Sequence, residues 1–235
     1  MDNEEIIEIE EDFPYLLYRR GEAEHIKALY EKGEVYINTI DHIRKCDKND
    51  DRSDNQDGIS ERQFIGNAKV EICKVGLDIN THGVSFNGTD CVKYYDSGEK
   101  GNIYCLSGIF IGDHLSGIRD DLEFNTQTFG ESLILIHSPQ IFIDRVLEAL
   151  KINGFKNIQY NRIQYYPHNY SGQIGFFKKH ERFKPQNEFR FYIPNKLNEP
   201  IKISIGSLKD IARIENNSLL KLTYPDNKEQ IIKIL

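Results

Sequence analysis

From Glu188 to Ile193 the chain reads Glu-Phe-Arg-Phe-Tyr-Ile, and this segment constrains the fold more than any other. A strand repeats every two residues, so Phe189, Phe191 and Ile193 fall on one face and Glu188 and Arg190 on the other. The aromatic face demands a core against it. Pro185 marks the entry to the strand, and the same period adds Gln186 to the polar row. That row is an amide, a carboxylate and a cation at two-residue steps. It reads either as a solvent-facing strand with a weak charge pair or as an organised site beside a core.

The rest of the chain supplies partners for such a strand. Leu16 to Gly21 is expected to be a strand, Glu22 to Lys32 a helix with Ala23, Ile26, Leu29 and Tyr30 on one side, and Gly33 its stop. Val35 to Ile40 reads as a second strand. Short Val, Ile, Phe and Tyr runs between 64 and 95, split by glycines, suggest antiparallel strands. Ile103–Ile111, Ser132–Ile136, Ile158–Tyr166 and Ile201–Ile205 add more. Pro139 to Asn153 carries an apolar stripe of Ile143, Val146, Leu147 and Leu150 and is expected to be helical, ending at Gly154. No repeat or Pro-rich linker divides the chain, and 235 residues suffice for one large core. The expectation is an acidic N-terminal segment over 1–12 and a single α+β domain over 13–235, with more strand than helix.

Composition removes several function classes. The formal charge is −7, which disfavours a general nucleic-acid binder because phosphate neutralisation needs clustered Lys and Arg. No apolar run reaches the roughly 18 residues of a membrane span, and the acidic start is unlike a signal peptide. Cys46, Cys73, Cys91 and Cys105 form no CxxC pair, which fits reduced, mostly buried thiols and a cytoplasmic location. The seven histidines show no HxH or HExxH spacing. GxGxxG, GxxxxGK[ST] and GxSxG are absent, so redox dinucleotide, P-loop and α/β-hydrolase chemistries lose their usual signatures.

Three local patterns remain. The run from Asp47 to Gly58 is polar enough to read as an exposed loop. It resembles a calcium loop only in part: Asp50, Asp54 and Glu61 fall at positions 1, 5 and 12, but Arg52 holds position 3 and Asn55 replaces the turn glycine. A metal-dependent nuclease built on Asp50, Asp51, Asp54 or Asp57 is one use for it. Tyr18-Arg19-Arg20-Gly21 ends the first strand with a guanidinium suited to phosphate or carboxylate. In the second strand, Tyr36 and Asn38 share one face while Thr39 lies on the other.

An arginine on an early strand, a threonine on the second and Gln-x-Glu on a late one resemble the Arg/Ser-Thr-Ser/Glu-x-Glu pattern of ADP-ribosyltransferases. Arg19 or Arg20, Asn38-Thr39 and Gln186-Asn187-Glu188 carry this resemblance, although both serines are missing. It implies a mostly antiparallel, split β-sheet with a few flanking helices. It also implies NAD as substrate, with no metal, and a protein or nucleic-acid acceptor. Glu188 would stabilise charge developing on the ribose, and Gln186 would orient the acceptor. Arg19 or Arg20 would hold the pyrophosphate, Thr39 would brace the pocket, and Tyr36 would stack on nicotinamide. The chain is also similar, through Leu17-Tyr18-Arg19, Gly33 to Ile37, Arg52 to Gly58 and Lys178 to Arg190, to a family of uncharacterised bacterial and phage proteins. That similarity implies a bacterial or phage-infected cell and a role in phage–host conflict. The alternative reading is a binding module of similar fold that recognises a nucleotide or a protein without turnover. Turnover requires Glu188, Gln186 and one of Arg19 and Arg20 to share a cleft.

Overall fold

The computed structural model describes residues 12–45, 54–110, 112, 122–124, 127–223 and 229–234. The acidic segment 1–11 and the loop positions Asp50, Asp51 and Arg52 lie outside the described residues. The chain opens with β1 (Pro14–Gly21), α1 (Ala23–Lys32), β2 (Glu34–Thr39) and α2 (Ile40–Lys45). A hairpin of β3 (Glu61–Ile72) and β4 (Val84–Tyr95) follows, with α3 (Ile79–His82) between its strands. Next come β5 (Gly101–Phe110), β6 (Leu122–Phe124), β7 (Ser132–Ile136) and α4 (Pro139–Ile152). Five short-to-medium strands, β8 (Gln159–Arg162), β9 (Gln164–Tyr166), β10 (Gly172–Gln173), β11 (Lys178–His180) and β12 (Glu188–Pro194), lead to β13 (Ile201–Ser204), β14 (Ala212–Glu215), β15 (Ser218–Thr223) and β16 (Glu229–Ile234).

The fold is a mixture of α and β built on mostly antiparallel sheets. β5 is the axis of the main sheet. β12 pairs along one of its edges from Gly101 to Ser107, and β8 lies outside β12. The other edge is shared. β1 covers the C-terminal half of β5, with Tyr18 opposite Ser107, and β2 covers its start, with Asn38 opposite Ile103. β7 and β14 extend the sheet beyond β1, and β13 extends it beyond β2. The two halves therefore part at Tyr104, Cys105 and Leu106.

One face of this sheet is sealed by α1 and α4. Ile26, Leu29, Phe142, Val146 and Leu150 pack on Leu17, Leu106, Phe189, Phe191 and Ile193, which bury the aromatic face expected from the sequence. Gly33 ends α1 with φ 66°, and a Cβ there would lie 2.0 Å from the Gly206 carbonyl oxygen, so only glycine fits. On the opposite face Leu16, Tyr18 and Ile109 pack with Ile232 and Ile234 at one end. Ile40, Ile103 and Tyr192 pack together at the other end, where Phe176 stacks on Tyr192 at 3.8 Å. The ground between these two clusters is polar and holds the candidate site.

Three expectations are corrected here. β12 is not a solvent-facing strand: Glu188 to Ile193 are all buried, so its polar face is an interior one. Gln186 does not belong to it, because Glu181–Gln186 forms a 3₁₀ turn and Asn187 turns the chain with φ 41°. The Asp-rich run is not simply an exposed loop, since Asp54 and Asp57 are buried. The physical reason lies in pairing: Arg190 meets Asp57 from a distant part of the chain and Glu188 meets Arg190 and Lys179, while Asp54 accepts from the Gln56 amide.

The β3–β4 hairpin stands apart from the core. Val70 pairs with Phe86 and Ile72 with Val84 on one face, and Ile72, Val84 and Phe86 remain exposed. Because no residue from 68 to 88 is buried, replacing 68–88 with an Asn-Gly turn should leave the thermal midpoint within about 2 °C of wild type. A differential scanning calorimetry trace showing a larger loss would place the hairpin in the folding unit.

Candidate active site

Where β1 and β2 part, the edge of β5 opens into a cavity of about 330 Å³. Arg19 stands one residue beyond the last β1–β5 pair. It donates to the Cys105 carbonyl and lies 4.6 Å over the Tyr104 ring. Tyr36 and Asn38 on β2 form the other lip, and Tyr36 is 54% exposed. Gln186 and Glu188 line the inner wall with Ser107 and Cys105. Residues separated by more than 160 positions thus border one space.

The floor is a closed network of charge. Arg190 grips Asp57 with both terminal nitrogens, at 2.5 and 3.0 Å, and its Nε donates to Glu188 Oε1 at 2.7 Å. Lys179 Nζ donates to Glu188 Oε2 and to Gln186 Oε1, each at 3.0 Å. Arg190 also donates to the Phe176 carbonyl at 2.9 Å. All four charged residues are buried, and two carboxylates balance two cations. Removal from water is costly for each, and only mutual pairing with full hydrogen bonding makes the group tolerable.

Local backbone chemistry sets this up. Asp57 is followed by Gly58 at φ 70°, where a Cβ would come 2.8 Å from the Phe176 ring. That close turn delivers the carboxylate under Arg190. Asp54 opens the same turn by accepting from the Gln56 amide at 2.9 Å. Lys179 sits on β11, which pairs with β9, so its ammonium reaches Glu188 from beneath the 3₁₀ turn. Asn187 closes the turn: its amide donates to the Gly108 carbonyl at 2.8 Å.

The electrostatic consequences follow from this packing. Burial alone would raise the Glu188 pKa, but Arg190 and Lys179 outweigh it and hold it down to about 2. Burial opposes the charge on Lys179, yet Glu188 and Asp57 raise its pKa overall. Burial and then Glu188 push the Cys105 thiol up to about 12, which keeps it protonated and able to donate. Asp54 moves the other way from Glu188, raised by burial and by Asp57. Glu188 is therefore a carboxylate at every physiological pH.

The structure gathers Glu188, Gln186, Arg19, Tyr36 and Asn38 around one cavity. Arg20 also borders it, but its guanidinium is directed to the Asn216 carbonyl, the Asn217 side chain and the Glu131 carbonyl. Thr39 is elsewhere: it is buried, and its hydroxyl accepts from the His42 amide at the start of α2. Sequence reasoning missed Lys179, and it offered Asp57 only as a metal ligand, not as the partner of Arg190. The Asp57-Gly58 turn signal and the cation ahead of Gln186 were the only traces of these roles. Among the described residues no group of three or more His, Cys, Asp or Glu side chains is placed to hold a metal ion. No helix among them is long and apolar enough to cross a membrane. Comparison with protein-family models, with curated proteins and with solved structures finds no match to this chain.

The depressed acidity of Glu188 gives a signed prediction. Ionised Glu188 is the stabilising form, so its contribution is complete above its ordinary 4.5 and is lost as pH falls through about 2. Asp54 has the opposite sign, contributing at low pH and losing that contribution as pH rises through its raised value. Urea midpoints of wild type and Glu188→Gln should therefore converge between about pH 5 and about pH 2. A gap that stays constant over this range would contradict the charge network.

Proposed function

We propose that this protein binds NAD⁺ in the fork between β1 and β2 and cleaves its nicotinamide–ribose bond, passing ADP-ribose to a protein or nucleic-acid acceptor. The observation that carries the reading is the meeting of Arg19, Gln186 and Glu188 around one cavity at the split of an antiparallel sheet. In this chemistry the C1′–N bond breaks and its electron pair leaves with nicotinamide. The ribose acquires oxocarbenium character, as in glycoside hydrolysis. An acceptor oxygen or nitrogen then attacks C1′ and gives up its proton.

A carboxylate that stays ionised at neutral pH suits that transition state, because its charge is present before the positive charge develops. Arg190, Lys179 and the Cys105 thiol donate to Glu188. The ribose 2′-hydroxyl is the further donor assigned to this carboxylate. Gln186, steadied by Lys179, orients the acceptor. Arg19 attracts the pyrophosphate, and the exposed Tyr36 ring stacks on nicotinamide. The resemblance read from the sequence alone, to uncharacterised bacterial and phage proteins, is what suggests an acceptor in phage–host conflict.

One observation favours a second reading, binding without turnover. Both Glu188 oxygens already receive a cation and the residue is 4% exposed, which spends part of its charge before a substrate arrives. The two readings separate when NAD⁺ labelled on its adenylate phosphate is incubated with the protein and bacterial lysate. Transfer of label to macromolecules with stoichiometric nicotinamide supports the transferase. Saturable binding with neither product supports the binding module.

A further inference from the structure

Beside the fork lies a second, more open cavity of about 560 Å³, bordered by Glu22, Thr128, Glu131, Asn216 and Asn217. Arg20 and Phe129 line both cavities. Successive strand residues project to opposite faces, so Arg19 serves the fork while Arg20 reaches the second space. Arg20 is held in place, 7% exposed, with Nη2 donating to the Asn216 carbonyl at 2.8 Å and to Asn217 Oδ1 at 3.1 Å. Both of these acceptors are neutral. Arg20 itself stands at the divide between the compartments.

The compartments differ in chemistry. The fork is small for a ligand site, near the bottom of the roughly 300–1,000 Å³ range, whereas the two spaces together approach its top. Beyond Arg20 the second space offers amides, a hydroxyl, the Phe129 ring and two carboxylates, Glu22 and Glu131. Amides and an aromatic ring suit a purine, and a carboxylate accepts hydrogen bonds from a ribose diol. Two carboxylates repel a phosphate.

Resting on the NAD⁺ reading above, we infer that the second cavity takes the adenosine half of the dinucleotide, with the diphosphate crossing at Arg19 and Arg20, and that Glu22 and Glu131 make the site reject NADP⁺. The fork alone would then hold only the nicotinamide mononucleotide half. The carboxylates are exposed, so their replacement leaves the buried network untouched.

Isothermal titration of wild type with NAD⁺, NADP⁺ and nicotinamide mononucleotide tests this at low salt, where exposed charges are least screened. NAD⁺ should bind about tenfold or more tightly than NADP⁺, and more tightly than the mononucleotide. In the double variant Glu22→Lys/Glu131→Lys, the gap between NAD⁺ and NADP⁺ should close or reverse, with mononucleotide affinity unchanged. If wild type binds NAD⁺ but NADP⁺ or the mononucleotide equally well, the second cavity is not the adenosine site and the proposed function still stands. If NAD⁺ does not bind at all, the proposed function fails and this inference falls with it.

Discussion

Asp57→Ala should lower stability by about 3–5 kcal/mol, the range for leaving a buried charge without its partner. Arg190 is fully buried, and Asp57 supplies two of its hydrogen bonds, so the variant strands a guanidinium that water cannot reach. For a chain of this size that corresponds to a fall in melting temperature of roughly 6–20 °C. Asp210→Ala is the control. Asp210 also holds an arginine, Arg145, at 2.5 Å, but on the surface, where solvent screens the pair. Its loss should leave the melting temperature within error of wild type. Calorimetry on the two variants decides the matter: equal small shifts would mean that the Asp57–Arg190 pair is not a structural keystone. Asp57→Asn should recover only part of the loss, because an amide oxygen can accept but carries no charge.

Glu188→Gln should reduce nicotinamide release by about 10²–10³-fold, the magnitude associated with removing one preorganised electrostatic stabiliser. The amide is close to the carboxylate in shape and can still accept from Arg190 or Lys179, so NAD⁺ affinity should change by only about threefold. The separation of the two effects matters more than either size. Loss of rate with binding retained means that the carboxylate acts on the transition state rather than on the ground state. Equal loss of binding and rate would instead assign Glu188 to holding the floor together. Gln186→Ala supplies the contrast: it should slow transfer to the acceptor more than it slows nicotinamide release into water.

Much of the frame was legible in the sequence because it depends on local periodicity. The two-residue alternation of Phe189, Phe191 and Ile193 identified the face that α1 and α4 cover. The stripe of Ile143, Val146 and Leu150 and the stop at Gly33 identified those helices in the same way. The polar face of β12 was not legible, because its burial depends on a carboxylate 133 positions away from Arg190. Nothing near Asp57 in sequence says which cation it meets; the run of acidic residues around it suggests solvent instead. Gln186 shows the opposite error. A strand period extended through Pro185 places it beside Glu188, whereas a 3₁₀ turn and left-handed Asn187 intervene. It still reaches the cavity because Lys179 bonds both Gln186 and Glu188. Thr39 illustrates a third limit: its hydroxyl satisfies a helix start, a local use that competes with any role in the pocket. The gap between β1 and β2 is a property of register on β5, and no single strand's sequence discloses it.

The most direct test of the central claim is a proton NMR time course of NAD⁺ with the wild-type protein, alone and with bacterial lysate. The account predicts that free nicotinamide resonances grow while the resonances of intact NAD⁺ decline, and that Glu188→Gln suppresses this about 10²–10³-fold. An unchanged NAD⁺ spectrum, with no line broadening at excess protein, would contradict both cleavage and binding in the fork.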